Sequence, residues 1–183
     1  MNKDNKRDII ESGFKITVLA ATSFRFCESP AYKKISGLSL KEMDVGWWDS
    51  STQSIILVEL KGIGIWNELY KTIETASGHL VSVIRDKATD TLLMLAAIWT
   101  GTKNGNDFKA DLPSKIHSYP GEGNIKLIFL IDTPPSRRPL LASVKDVVNK
   151  GLAGRVRLFG IKSVILVDLE TAIKMALPIV RQN

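Results

Sequence analysis

The chain has little of what anchors the chemistry of many small domains. It contains one cysteine, Cys27, and two histidines among 183 residues. A lone cysteine excludes an internal disulfide, and no Cys/His group has the spacing of a zinc site. No Gly-x-x-x-x-Gly-Lys-Ser/Thr loop occurs, and Lys61-Gly62-Ile63-Gly64 and Gly121-Glu122-Gly123 are too short to cradle a phosphate. Long apolar runs are also missing. None approaches the about 18–20 residues of a membrane span, and the opening MNKDNKRD is charged rather than signal-like. Internal repeats and low-complexity segments are absent. The expectation is a soluble, cytoplasmic protein without a membrane partner.

What is present is enough apolar surface for one core. At 44% hydrophobic and 24% charged, a chain of this length builds one domain more readily than two, so residues 1–183 are expected to form a single unit. The formal charge of +6 and pI near 9.4 favour a polyanionic partner such as nucleic acid. The densest basic region runs through Arg137, Arg138, Lys145, Lys150, Arg155 and Arg157. It suits a phosphate backbone or a solvated helix face equally.

Patterning predicts a short helix over Asp4–Ser12, a strand over Lys15–Ala21 and one or two helical turns within Phe24–Gly37. Strands follow near Leu40–Trp48 and Ser54–Lys61. Apolar residues at spacings of three and four then predict a long helix from about Gly78 to Trp99, preceded by a shorter one from Trp66 to Thr75. Gly101–Gly123 reads as a polar loop, Ile125–Ile131 as a strand apolar on both faces, and Leu140–Lys150 as a helix ending before Gly151. Ser163–Val167 is another strand and Leu169–Leu177 a last helix before Pro178. Antiparallel strands first and β-α-β-α later describe an α/β fold: a mixed central sheet flanked by helices.

The strongest pattern lies in KEMDVGWWDSSTQSIILVELKG. With a period of two, Glu59 and Lys61 share one face of an otherwise apolar strand, where a buried carboxylate is costly without a compensating cation or donors. A four-residue loop, Ser50–Gln53, sets Asp44 opposite Glu59. Two carboxylates and a lysine on one patch suit a magnesium- or manganese-dependent phosphodiesterase. Asp44, Glu59 and the backbone carbonyl of Leu60 supply hard oxygen ligands, and Lys61 orients or activates the attacking water. The structural alternative is a strand-end ion pair. Asp49 reads as turn chemistry, and Lys87 and Asp90 as either a solvated helical pair or a substrate-facing lysine with its neighbour.

An acid, a variable gap and then Glu59-Leu60-Lys61 resembles the PD-(D/E)xK, or restriction-endonuclease-like, nuclease superfamily. Met43 stands where a proline often precedes the first acid. The resemblance implies a restriction-endonuclease-like fold with Asp44, Glu59 and Lys61 as its catalytic residues. It also implies an extra acid from an upstream element, for which Glu28 is the first candidate and Glu11 the second. No Gln-x-x-x-Tyr pattern follows the tripeptide, and Lys87 is expected to serve that helix's substrate-binding role. The expected function is a nuclease hydrolysing phosphodiester bonds by direct water attack, with DNA favoured over RNA. Cleavage of both strands by a chain with one site asks for a homodimer or two binding events. The alternative is a non-catalytic nucleic-acid-binding or scaffold protein on the same fold.

Overall fold

In chain order the strands and helices are β1 (Lys6–Glu11), β2 (Phe14–Leu19), β3 (Ser23–Phe24), α1 (Pro30–Ile35), β4 (Val45–Asp49), β5 (Ser54–Lys61), α2 (Ile73–Thr100), α3 (Lys103–Asp111), β6 (Ile125–Ile131), α4 (Arg138–Arg157), β7 (Ile165–Val167), α5 (Leu169–Lys174) and β8 (Ile179–Arg181). The computed structural model describes residues 5–66 and 73–182, and the side chains of α2 from residue 81 onward. The protein is a mixed α/β fold with two sheets.

The hairpin of β4 and β5 closes through Ser50–Gln53. Asp49 stabilises this turn by accepting hydrogen bonds from the Ser51 N–H, the Ser51 hydroxyl and the Thr52 hydroxyl, at 3.0, 2.7 and 2.6 Å. The hydroxyls of Thr52 and Ser51 hold the Asp49 carboxyl below the ordinary carboxylate range. Asp49 pairs with Ser54 and Val45 with Val58, the register expected from the loop length. β5 then pairs in parallel with β6, and β6 with β7, so the five-stranded sheet β3-β4-β5-β6-β7 changes from antiparallel to parallel at β5.

Alternation along β5 divides the core. Ile55 and Leu57 pack with Ile84, Ala88, Leu92 and Leu95 of α2 and with Val148, Leu152 and Val156 of α4. Ile56, Val58 and Leu60 face the other way, toward Ile9, Phe14, Ile16 and Val18 of β1 and β2, Ala172 of α5 and Ile179 of β8. Helices therefore cover one face of the mixed sheet as expected. The other face carries the three-stranded antiparallel sheet β1-β2-β8 as well as α5.

That second sheet corrects the expectation of a helix over Asp4–Ser12. Ser12 and Gly13 both have positive φ, at 52° and 80°, which is the backbone of a two-residue hairpin turn joining β1 to β2. The loop expected over Gly101–Gly123 contains α3, which begins at a Thr102 cap whose hydroxyl accepts from the Gly105 N–H at 3.1 Å. The helix expected to stop before Gly151 continues through it to Arg157, because Val148, Leu152 and Val156 form a buried stripe that spans the glycine. β8 follows the last helix where only Pro178 was expected to end it. The helix expected over Trp66–Thr75 lies mostly outside the described residues. Among the described residues, no helix is long and apolar enough to cross a membrane.

Gly105 is what lets α3 fold back on α2. A Cβ there would lie 1.9 Å from the Ala97 carbonyl oxygen. Alanine normally favours a helix interior over glycine by about 1 kcal/mol. Here Gly105→Ala is expected to have the opposite sign and destabilise by about 1–3 kcal/mol, the range for overpacking. Chemical denaturation of the two proteins measures the difference.

Candidate functional site

The site forms where the β4–β5 ladder ends. Continuing the register one step past Val45 and Val58 sets Asp44 opposite Glu59. Asp44 does not extend the strand. Its Oδ2 instead accepts a hydrogen bond from the Leu60 N–H at 2.7 Å, taking the place of the missing ladder partner. Glu59 and Lys61 project from the same face of β5, and the Lys61 Nζ lies 2.8 Å from Glu59 Oε1. Lys87, from α2, completes the group. Its Nζ lies 2.7 Å from Glu59 Oε1 and 3.2 Å from Asp44 Oδ1, so one ammonium bridges both carboxylates.

α2 also fixes the segment that delivers Asp44. Asp90 Oδ2 accepts from the Lys41 N–H at 3.0 Å, and the Thr91 hydroxyl accepts from the Met43 N–H at 2.9 Å. The Lys41 ammonium reaches Asp86 at 3.1 Å. From the other side, Arg25 Nε donates to the Asp44 carbonyl at 2.8 Å, while its terminal nitrogen pairs with Glu11 at 3.1 Å. Asp44 is thus held through its backbone and its carboxylate together.

The electrostatics are dominated by burial of Glu59, which is 0% exposed. Its Oε1 meets two ammonium groups in ion-pair contact without the angles of a hydrogen bond, and its Oε2 accepts no hydrogen bond from any described residue. Burial first, and the Asp44 carboxylate second, push the Glu59 carboxyl above its ordinary range against the opposing pull of Lys87 and Lys61. Burial pulls the Lys87 ammonium down, but the Glu59 and Asp44 carboxylates outweigh it and raise Lys87 above the ordinary lysine value.

The structure therefore brings Asp44, Glu59, Lys61 and Lys87 together at the end of β5, with the Leu60 backbone between them. It does not bring Glu28 to them. The Glu28 carboxylate pairs with Arg7 and lines a separate cavity of about 240 Å³ with Arg25, Ser29 and Asp111. Glu11 comes nearer through Arg25, which it shares with the Asp44 carbonyl. Lys87 and Asp90 do not pair with each other; each reaches a different residue of the segment 41–44 or β5. Sequence reasoning missed Thr91, Asp90 and Arg25 as positioning residues. Thr91 alone left a signal, as the hydroxyl-bearing residue inside the apolar stripe of α2.

As a donor set the group fits magnesium or manganese. Asp44, Glu59 and the Leu60 carbonyl are hard oxygens, and the buried Glu59 Oε2, which has no partner among the described residues, is an acceptor that a cation would satisfy. Among the described residues, no cluster of three or more His, Cys, Asp or Glu side chains is placed to hold a metal, so the carboxylates number two. Asp132, at the end of β6 beside Lys61, is committed to Arg181. No family model, curated protein or solved structure matches the chain.

The raised affinity of Glu59 for its proton has a definite sign for stability. A carboxyl that holds its proton more tightly when folded favours folding below its unfolded pKa, and this contribution is lost as pH rises through the folded value. Glu59→Gln keeps the shape without the charge. It is expected to raise Tm at pH 7–8 and to change it little near pH 4, as followed by calorimetry across that range. A lower Tm at pH 7 shows instead that the ion pairs with Lys61 and Lys87 outweigh the burial.

Proposed function

We propose that the chain is a divalent-metal-dependent nuclease that hydrolyses phosphodiester bonds, with a restriction-endonuclease-like arrangement of its mixed sheet. The observation that carries this reading is the convergence of Asp44 and Glu59 on one patch, with Lys61 at 2.8 Å and a buried Glu59 oxygen that accepts no hydrogen bond from any described residue. An acid ahead of one strand and Glu-x-Lys on its antiparallel neighbour, at the strand where the sheet turns parallel, support the same reading. The net positive charge supports a nucleic-acid substrate, and DNA is proposed before RNA. A cytoplasmic enzyme, paired as a homodimer where both strands are cut, completes the proposal.

In this mechanism Asp44, Glu59 and the Leu60 carbonyl would hold a magnesium or manganese ion, which would offset negative charge on the phosphate oxygens and make a water easier to deprotonate. Lys61 orients the attacking water and shares the negative charge that grows on the phosphate. The water oxygen bonds to phosphorus, the bond to the leaving oxygen breaks, and the water's proton passes to solvent as the leaving oxygen gains one. Asp44 and Arg25 keep the strand end in place, and Lys87 lies within reach of a substrate phosphate. No covalent intermediate with the protein is required.

A second reading is favoured by one observation. Lys61 and Lys87 already balance the charges of Asp44 and Glu59, and Asp44 seats a backbone N–H, which is all that a structural cluster needs. The chain is then a nucleic-acid-binding or scaffold protein on the same fold.

The two readings separate by incubation with plasmid, single-stranded DNA and RNA in magnesium, manganese or EDTA. Under the nuclease reading, cleavage requires the metal, and Lys61→Ala and Asp44→Ala each lower its rate by at least about 10²-fold, with circular dichroism unchanged. Binding without cleavage in either metal supports the second reading.

A further inference from the structure

Lys87 stands where a cation between the two carboxylates would stand. Among the described residues the Lys61 ammonium pairs with Glu59 alone, whereas the Lys87 ammonium touches both Glu59 Oε1 and Asp44 Oδ1. We propose that Lys87 is a built-in counter-ion, which occupies the cation position until a divalent ion enters, and which that ion displaces toward the substrate. The inference rests on the metal-site reading above and adds to it an exchange of one cation for another.

Distance calls for the exchange wherever the entering ion takes Glu59 Oε1 or Asp44 Oδ1. Magnesium and its mimics contact carboxylate oxygens at about 2.0–2.1 Å. An ammonium 2.7 Å from Glu59 Oε1 and 3.2 Å from Asp44 Oδ1 takes up the space between those oxygens and repels a second cation there. The backbone of Lys87 cannot yield, because its neighbours Ile84, Ala88 and Thr91 are buried in the core under α2. Its side chain can. Four methylenes carry a single point charge, and the side chain is 21% exposed, so the ammonium has a path outward without movement of the helix.

Charge counting gives the same direction. Asp44, Glu59, Lys61 and Lys87 sum to zero, so the site without metal holds its buried carboxylates in balance. A divalent ion brings the sum to two positive charges if Lys87 stays. A phosphodiester offers one negative charge. An ammonium that swings out with the phosphate removes the excess from between the carboxylates and remains close enough to bind the newcomer. Metal and substrate are therefore expected to strengthen each other's binding, since each favours the displaced position of Lys87.

The test uses the full chain and manganese alone. Titration calorimetry first measures manganese binding to the wild type and to Lys87→Met. Amine acylation followed by mass spectrometry then reads the reactivity of Lys87 with manganese and with EDTA, with Lys41 as the internal reference. Displacing an ammonium from two carboxylates at 2.7 and 3.2 Å costs at least about tenfold even at the dielectric of water, so Lys87→Met, which has no ammonium to displace, is expected to bind manganese at least about tenfold more tightly. Manganese is expected to raise acylation of wild-type Lys87 several-fold and to leave Lys41 unchanged. Should Lys87→Met fold poorly, Lys87→Arg, which keeps the charge, is expected to bind manganese no more tightly than the wild type. Manganese uptake with unchanged acylation of Lys87 overturns the exchange and leaves the metal site standing. No uptake by the wild type or either variant overturns both.

Discussion

The fold around this site is organised by one liability, an ionisable carboxyl fully enclosed within a sheet. Taking a carboxylate out of water costs several kcal/mol even after the surroundings relax. Glu59 sits on the most enclosed strand of the molecule, between β4 and β6 and beneath α2. The surrounding elements act to offset that cost. Lys61 follows two residues later on the same face, and α2 carries Lys87 to the same height. Asp44 works in the opposite sense, since a second carboxylate beside Glu59 raises the charge to be compensated. Asp44 is held there because its carboxylate accepts from the Leu60 N–H, and Lys87 reaches both carboxylates at once.

The parts of this arrangement that were legible in the sequence are local ones. Alternation in β5 placed Glu59 and Lys61 on one face, and the length of the Ser50–Gln53 turn gave the register opposite Asp44. Both follow from covalent geometry and need no knowledge of the rest of the chain. The helical period over α2 was equally plain. What remained hidden depends on contacts between segments distant in sequence. Thr91 reads as part of an apolar stripe until the Met43 N–H arrives to use its hydroxyl. Glu28 had the residue type and position of a third acid, yet β1 brings Arg7 to it. β1 itself was obscured because KRDIIE carries a charge on nearly every outward position and only Ile9 is deeply buried. α3 was obscured because its most telling residue, Gly105, reads as a helix breaker when it is in fact a point of close approach to Ala97.

The position of the site in the sheet has its own logic. β5 makes antiparallel bonds to one neighbour and parallel bonds to the other, and β4 begins just after Asp44. The ladder to β6 runs on to Lys61, whose carbonyl accepts from the Asp132 N–H at 2.7 Å. One side of the strand end is therefore closed by backbone pairing, and the other is left to side chains. Open α/β sheets place ligands outside the carboxyl ends of their strands, where such asymmetry leaves a crevice. Here the asymmetry has a simple origin, the difference in length between two neighbouring strands.

Asp44, Glu59, Lys61 and Lys87 all come from one uninterrupted stretch of the chain. β6, α4 and β7 lie after it and contribute support: a strand for β5 to lean on and a helix to pack against α2. The charged cluster travels as a cassette, and the later half of the chain is a chassis. Loops beyond α3 can lengthen, or later helices acquire new surfaces, without changing the order or spacing of these four residues. A chain built this way can change its later surfaces while the four charged groups keep their places along the sequence.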